Sequence, residues 1–179
     1  MRIPFSFLLA GLACLPGCSS MGGSGSDLAG GDTAAQVASI EAKRDAIEKR
    51  VDSLARKTLP TTGMREQIKQ KWSKIDYYVD GNTVLRVKTY PHPDVSSRTE
   101  EFYFDGGQLI YACVQDHGAQ MKERGGAHSE GREYYYSNGK FVTEHNHSGE
   151  AERTIRHSDE ERLEQEALEY VEVFRRSQN

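Results

Sequence analysis

Three times in this chain an acid is followed two positions later by a tyrosine: Asp76 and Tyr78, Glu101 and Tyr103, Glu133 and Tyr135. These are residues that bind. A carboxylate attracts cations and accepts hydrogen bonds from hydroxyls, and a phenol ring packs against cations or sugar faces. Residues two apart on a strand share one face, so each acid would stand beside its tyrosine. The same pattern also serves plain scaffolding, because Tyr favours strands and acids solubilise a sheet. Glu144 joins the group through its expected register. A two-residue turn at Asn138-Gly139 sets it directly opposite Glu133, where like charges repel unless a cation or a basic partner intervenes.

Other constellations are weaker. His145-Asn146-His147 puts two imidazoles on one side of an extended segment, and His128 and His157 could join them from loops. Zinc sites need three or four placed ligands with supporting hydrogen bonds, and solvent-exposed histidines at a strand end account for the spacing better. Cys113 lies in an apolar strand pattern and reads as a buried, inert thiol, since a catalytic thiolate needs a nearby His and an electropositive setting. The regular recurrence of the acids argues against a glycosidase pair. There is no Gly-x-Ser-x-Gly, phosphate loop or dinucleotide fingerprint. No enzymatic activity, metal or cofactor is expected.

The elements that must position these residues follow from a repeat. Asp76 to Asn82, Glu101 to Gly107 and Glu133 to Gly139 share one pattern: acid, aromatic, Tyr, apolar or aromatic, Asp or Ser, then two residues drawn from Gly and Asn. Each continues into a second apolar run. Gly-Asn, Gly-Gly and Asn-Gly tolerate the positive φ of a two-residue turn, so three hairpins and about six antiparallel strands are expected. Residues flanking each turn then pair outward. One face collects Ile75, Tyr77, Val79, Val84, Phe102, Phe104, Leu109, Tyr111, Cys113, Tyr134, Tyr136 and Phe141. The other carries Leu85, Val87, Ile110, Ala112, Val114 and Val142 with the binding candidates Asp76, Tyr78, Glu101, Tyr103, Glu133, Tyr135 and Glu144. The copies resemble the tyrosine-rich hairpin repeats of MORN-like proteins but lack that family's second glycine. The resemblance implies a hairpin array and nothing more.

Helices flank the repeats. Ser158 to Arg176 opens with a Ser158–Glu161 capping box, ends on Arg175 and Arg176, and carries one apolar stripe of Leu163, Ala167, Tyr170, Val171 and Phe174. That stripe needs the first sheet face. Thr33 to Thr58 holds no Gly or Pro, and its stripe of Val37, Ile40, Ile47, Val51 and Leu54 is nearly a heptad seam. It reads as a helix ended by Pro60, separable from the folded domain and able to make a homo-oligomer. Thr61 to Lys71 is either a short helix, with Met64, Ile68 and Trp72 on one side, or an extended lead-in. Pro91 to Arg98 and the Gly-rich Asp116 to Gly131 read as loops.

The N-terminus supplies an address. Arg2 precedes an apolar run from Ile3 to Leu15, too short to span a bilayer as a helix but suited to a secretory leader. Leu15-Pro16-Gly17-Cys18 resembles the lipobox of bacterial lipoproteins. That resemblance implies cleavage before Cys18, acylation of its thiol, and, with Ser19 next, anchoring at the outer membrane on its periplasmic side. The Gly/Ser-rich run from Ser19 to Gly31 reads as a flexible tether. The expected layout is a signal peptide (1–17), a lipidated tether (18–32), an N-terminal helix (33–59) and a sheet domain with its C-terminal helix (60–179).

The chain has 179 residues and a formal charge of −4. That is one domain's worth, and its acidity argues against a nucleic-acid partner. The expectation is an α+β domain: an antiparallel meander with a C-terminal helix packed on one face, plus an N-terminal helix. Its expected role is a non-enzymatic, lipid-anchored binding or accessory module for an envelope protein or glycan. The alternative is a structural envelope protein that oligomerises through the N-terminal helix. If that helix docked on the Tyr face, the binding reading of the face would weaken.

Overall fold

The computed structural model describes residues 27–92, 98–116, 130–146 and 158–178. The leader with Cys18, most of the two expected loops, and His128, His147 and His157 lie outside the described residues. The chain runs α1 (Asp27–Glu48), β1 (Ala55–Leu59), α2 (Glu66–Lys71), β2 (Trp72–Asp80), β3 (Thr83–Pro91), β4 (Arg98–Asp105), β5 (Gln108–Asp116), β6 (Glu130–Ser137), β7 (Lys140–Asn146) and α3 (Ser158–Arg176). The strands form one antiparallel sheet in chain order, β1 to β7. The expected α+β class and meander are present, with seven strands where about six were expected.

The extra strand is β1. The N-terminal helix stops at Glu48, a 3-10 turn covers Val51–Ser53, and Ala55–Leu59 pairs along β2. Ser53 Oγ caps the break by donating to the Arg50 carbonyl at 2.7 Å. The helix also starts earlier than expected, at Asp27, inside the run assigned to the tether. The ambiguous stretch before β2 is helical: α2 buries Ile68, with Met64 before it and Trp72 after it.

The three hairpin turns use positive φ as expected at Gly106 and Gly107 (58° and 80°) and at Asn138 and Gly139 (53° and 71°). In the first turn Gly81 has φ of 59° and Asn82 does not follow it. The plain outward register fails, and for one reason repeated three times. Tyr78 pairs with Arg86 while Val79 pairs with Val84, leaving Leu85 extra. Tyr103 pairs with Tyr111 while Phe104 pairs with Leu109, leaving Ile110 extra. Tyr135 pairs with Thr143 while Tyr136 pairs with Phe141, leaving Val142 extra. A β-bulge of one residue shifts every later side chain to the other face. Tyr111 and Cys113 therefore leave the first face, and Val87, Ala112 and Val114 join it.

The first face is the main core, and α3 sits on it. Leu163, Ala167, Tyr170, Val171 and Phe174 are all buried there. Phe174 stacks on Tyr77 at 5.3 Å, Tyr170 meets Phe102 edge-on at 5.3 Å, and Trp72 Nε1 donates to the Tyr170 hydroxyl at 3.0 Å. A buried ionic cluster closes one end of this core. Glu100 accepts from Arg98 at 2.7 Å, and Arg162 reaches both Glu100 (3.3 Å) and Glu166 (3.0 Å). Lys71 completes it at 2.8 Å from Glu166.

Gly107 has a positive φ, and a Cβ there would meet Arg175 at 3.3 Å. Gly107→Val is therefore expected to destabilise the fold by more than ~1 kcal/mol, because a β-branched residue resists that conformation. A urea titration checks it; an unchanged midpoint would refute the turn's role.

Candidate functional site

The second face carries the residues singled out as binding candidates, and α1 lies across it. Val37, Ile40 and Ile47 are buried among Tyr103, Ile110, Tyr111 and Tyr135, with Leu54, Leu85, Cys113 and Val142 packed alongside. Each bulge puts its extra apolar residue into this layer, which gives the helix an apolar seat. The apolar stripe of α1 is thus spent on its own sheet.

The polar contacts follow the helical repeat. Tyr135 donates to Glu41 at 3.1 Å, the Arg44 guanidinium stands 5.0 Å over the Tyr111 ring, and Tyr103 donates to Glu48 at 2.9 Å. Positions 41, 44 and 48 advance by about 4.5 and 6 Å along a helix. The strands beneath them, β6, β5 and β4, are spaced about 4.8 Å apart. One helix row therefore addresses one tyrosine per strand. The three rings themselves pack edge to face, 5.4 Å from Tyr103 to Tyr111 and 5.3 Å from Tyr111 to Tyr135.

The sheet's own acids complete this lattice. Tyr103 also lies 3.1 Å from Glu101, and Tyr135 3.0 Å from Glu133, so each hydroxyl sits between one helix acid and one strand acid. A phenol has one proton to donate, so cations must balance the remaining charge. Arg86 contacts Glu101 at 2.5 Å and Glu48 at 3.4 Å, and Lys88 contacts Glu101 at 2.7 Å. Glu133 accepts from Tyr111 at 2.6 Å and has Arg44 at 3.8 Å. Burial opposes the charge on Glu101, but Lys88 and Arg86 prevail and hold its carboxyl below the ordinary value of 4.5. Burial, with Glu101 and Glu133 nearby, pushes the Cys113 thiol up to about 11, which suits an inert thiol.

The seven candidates thus part company. Glu101, Tyr103, Glu133 and Tyr135 form the seat of α1. Glu144 does not oppose Glu133: the bulge pairs it with Tyr134 and sends it to the other face, while Glu133 pairs with His145. Asp76 and Tyr78 lie beyond the helix, on the β1–β3 part of the second face. There Thr58 donates to Asp76 at 2.6 Å, and Arg86 stands 5.0 Å over the Tyr78 ring. Tyr90 on β3 completes this group and was missed because it follows no acid; Lys74 lies 4.1 Å over its ring.

His145 packs its ring 4.9 Å from Tyr135, and among the described residues no group of three metal-ligating side chains exists. No described helix is long and apolar enough to cross a membrane. No protein family matches the chain, and no curated protein or solved structure is significantly similar to it.

Two tests follow. Deleting residues 27–48 uncovers an apolar layer, takes Arg44 from Glu133 and removes Glu48 and Glu41 from the Tyr103 and Tyr135 hydroxyls. The truncated chain is expected to lose its cooperative melt or to melt at clearly lower urea, contrary to a separable helix; an unchanged midpoint would show that α1 adds nothing. Glu101→Gln is expected to cost about 1–3 kcal/mol at neutral pH. Because the folded pKa is depressed, the Glu101 contribution is complete above 4.5 and is lost as pH falls through the folded value. The variant's stability should therefore decline less steeply into acid than the parent's, and parallel declines would refute the assignment.

Proposed function

We propose that the chain is a lipid-anchored protein of the cell envelope, held at the outer membrane through Cys18, and that it acts as a non-enzymatic binding or accessory module for an envelope partner. The observation that carries this reading is the welding of α1 to the sheet. α1 begins at Asp27, nine positions after the lipobox-like Cys18. Nine extended residues reach at most ~30 Å, so an acylated Cys18 would hold the domain close to the lipid surface. Several acyl chains on one residue make a stable anchor, since each buried methylene contributes ~0.8 kcal/mol.

The oligomeric alternative has lost its motive. Val37, Ile40 and Ile47 are engaged with the sheet, and α1 turns Ala34, Ala35, Ala38, Ala42 and Ala46 outward instead of a wide apolar seam. For contact with a partner, the candidate residue on the β1–β3 part of the second face that stays partly exposed is Tyr78; Asp76 beside it is buried. The site acids Glu101 and Glu133 are engaged by Tyr103, Tyr111, Tyr135, Arg86 and Lys88, a bonding pattern of structural character.

Cys18→Ala is expected to move the protein out of the membrane fraction and to abolish acylation of the N-terminus, read by mass spectrometry. Crosslinking in intact cells should capture an envelope partner with the parent chain. An unmodified parent N-terminus with unchanged membrane partition of the variant would overturn the anchor, and an empty crosslinking result would overturn the accessory role.

A further inference from the structure

The outer side of α3 borders an open groove of about 620 Å³. Met64 and Arg65, ahead of α2, form one wall, and Leu168, Glu172 and Arg176 are on the other. Arg65 is tied to Glu169 by its guanidinium and by its backbone N–H at 2.8 Å, so the two walls are fastened together. Leu168 is 55% exposed, and no other large hydrophobic side chain among the described residues is exposed.

Five side chains of α3 share this side. Glu161, Gln165, Leu168, Glu172 and Arg176 recur every three or four positions, and all are exposed. Charge is segregated along the helix: Asp159, Glu160 and Glu161 fill the first turn, Arg175 and Arg176 the last. An acidic start and a basic end suit the helix's own dipole. They also suit a second copy of the same helix laid antiparallel to it. With a two-fold axis between positions 168 and 169, Glu161 stands level with Arg176 of the second copy, and Gln165 with Glu172. The two Leu168 side chains then meet at the axis, beside Met64. A parallel pairing would set Glu161 against Glu161 and Arg176 against Arg176, so the charges select the antiparallel one. Within one copy Arg176 is held loosely, 3.7 Å from Glu172 with both side chains more than half exposed. Little is given up when it turns to Glu161 of the second copy.

We propose that this stripe of α3 is a self-association surface, through which two copies of the chain pair antiparallel about Leu168. The contact is isologous, so each favourable pair is made twice. Five residues a side is well below the roughly 20–30 of a standard interface, and the dimer is accordingly weak in solution. Copies held on one membrane would meet at a higher effective concentration. The surface is separate from α1, whose apolar stripe is spent on its own sheet. The inference rests on neither the lipid anchor nor an envelope partner.

The test is sedimentation equilibrium of the full chain in a density-matched mild detergent. A monomer–dimer equilibrium is expected, half-associated somewhere between about 10 μM and about 1 mM. Leu168→Asp should weaken it about tenfold, by placing two carboxylates at the axis. Arg176→Glu should weaken it about tenfold, and adding Glu161→Arg should restore it, because the swap remakes both pairs. Gln165→Lys, facing Glu172 of the second copy, should tighten it about threefold. Lys140→Gln, on β7, should leave it unchanged. If the doubly substituted chain melts early, Gln165→Lys decides in its place. A monomer at every concentration, a dimer indifferent to Leu168→Asp, an Arg176→Glu effect that Glu161→Arg does not relieve in a stably folded chain, or no tightening by Gln165→Lys would each overturn the proposal. A monomeric chain that still captures an envelope partner overturns this inference alone.

Discussion

The structure depends on a match between two repeats. A helix presents side chains every three or four residues, and a sheet presents strands about every 4.8 Å, so a helix crossing strands at a steep angle can place one side chain on each. Glu41, Arg44 and Glu48 meet Tyr135, Tyr111 and Tyr103 in that way. Without the match, the second face would expose Tyr103, Ile110, Tyr111 and Tyr135 together, an apolar patch of a size that soluble monomers seldom leave open. With it, a single sheet gains two cores, α3 on one side and α1 on the other.

The two cores are built differently. Beneath α3 the contacts are mainly apolar and aromatic, as in Phe174 on Tyr77 and Tyr170 against Phe102, with the ionic cluster around Glu100 and Glu166 confined to one end. Beneath α1, three of the described apolar helix residues, Val37, Ile40 and Ile47, are buried against Ile110, Leu85 and Val142, and phenols, carboxylates and guanidinium groups make up much of the remaining seat. Hydrogen bonds of this kind contribute modestly when made but leave costly orphans when broken. The second core therefore specifies position more sharply than it adds strength. It also accounts for two of the three acid-x-Tyr pairs: at Tyr103 and Tyr135 the strand acid and the helix acid both stand within hydrogen-bond reach of the phenol.

Much of the fold was legible in the sequence. The three turns stood out because Gly and Asn fall at matching places, and α3 stood out because its stripe and its terminal charges agree. The bulges were not read, although their signal is present. Each second strand opens with two consecutive bulky apolar residues, Val84-Leu85, Leu109-Ile110 and Phe141-Val142, where strict alternation would give one. Strand β1 was hidden because Val51 and Leu54 prolong the helical stripe past the true helix end at Glu48. At the candidate site, residue types were legible and company was not. The sequence marks Tyr103 and Tyr135 as equivalent to Tyr78, but only the crossing of α1 separates them, and that crossing depends on the bulged register. Tyr90 carries no local mark at all, since the group it completes is assembled across strands.

The order of the chain gives α1 a particular history. Every strand pairs with its sequence neighbour, so the sheet can zip up hairpin by hairpin from local contacts, the kind that form quickly. The flanking helices are the exceptions: α3 reaches back over 98 positions from Tyr170 to Trp72, and α1 must wait for strands made after it. Its bond from Tyr103 to Glu48 closes a loop of 55 residues, and that from Tyr135 to Glu41 a loop of 94. A helix made before every strand of the sheet thus finds its place only after strands that follow it. Until β4 emerges α1 lacks its first tyrosine partner, and until β6 emerges its seat on the sheet is incomplete.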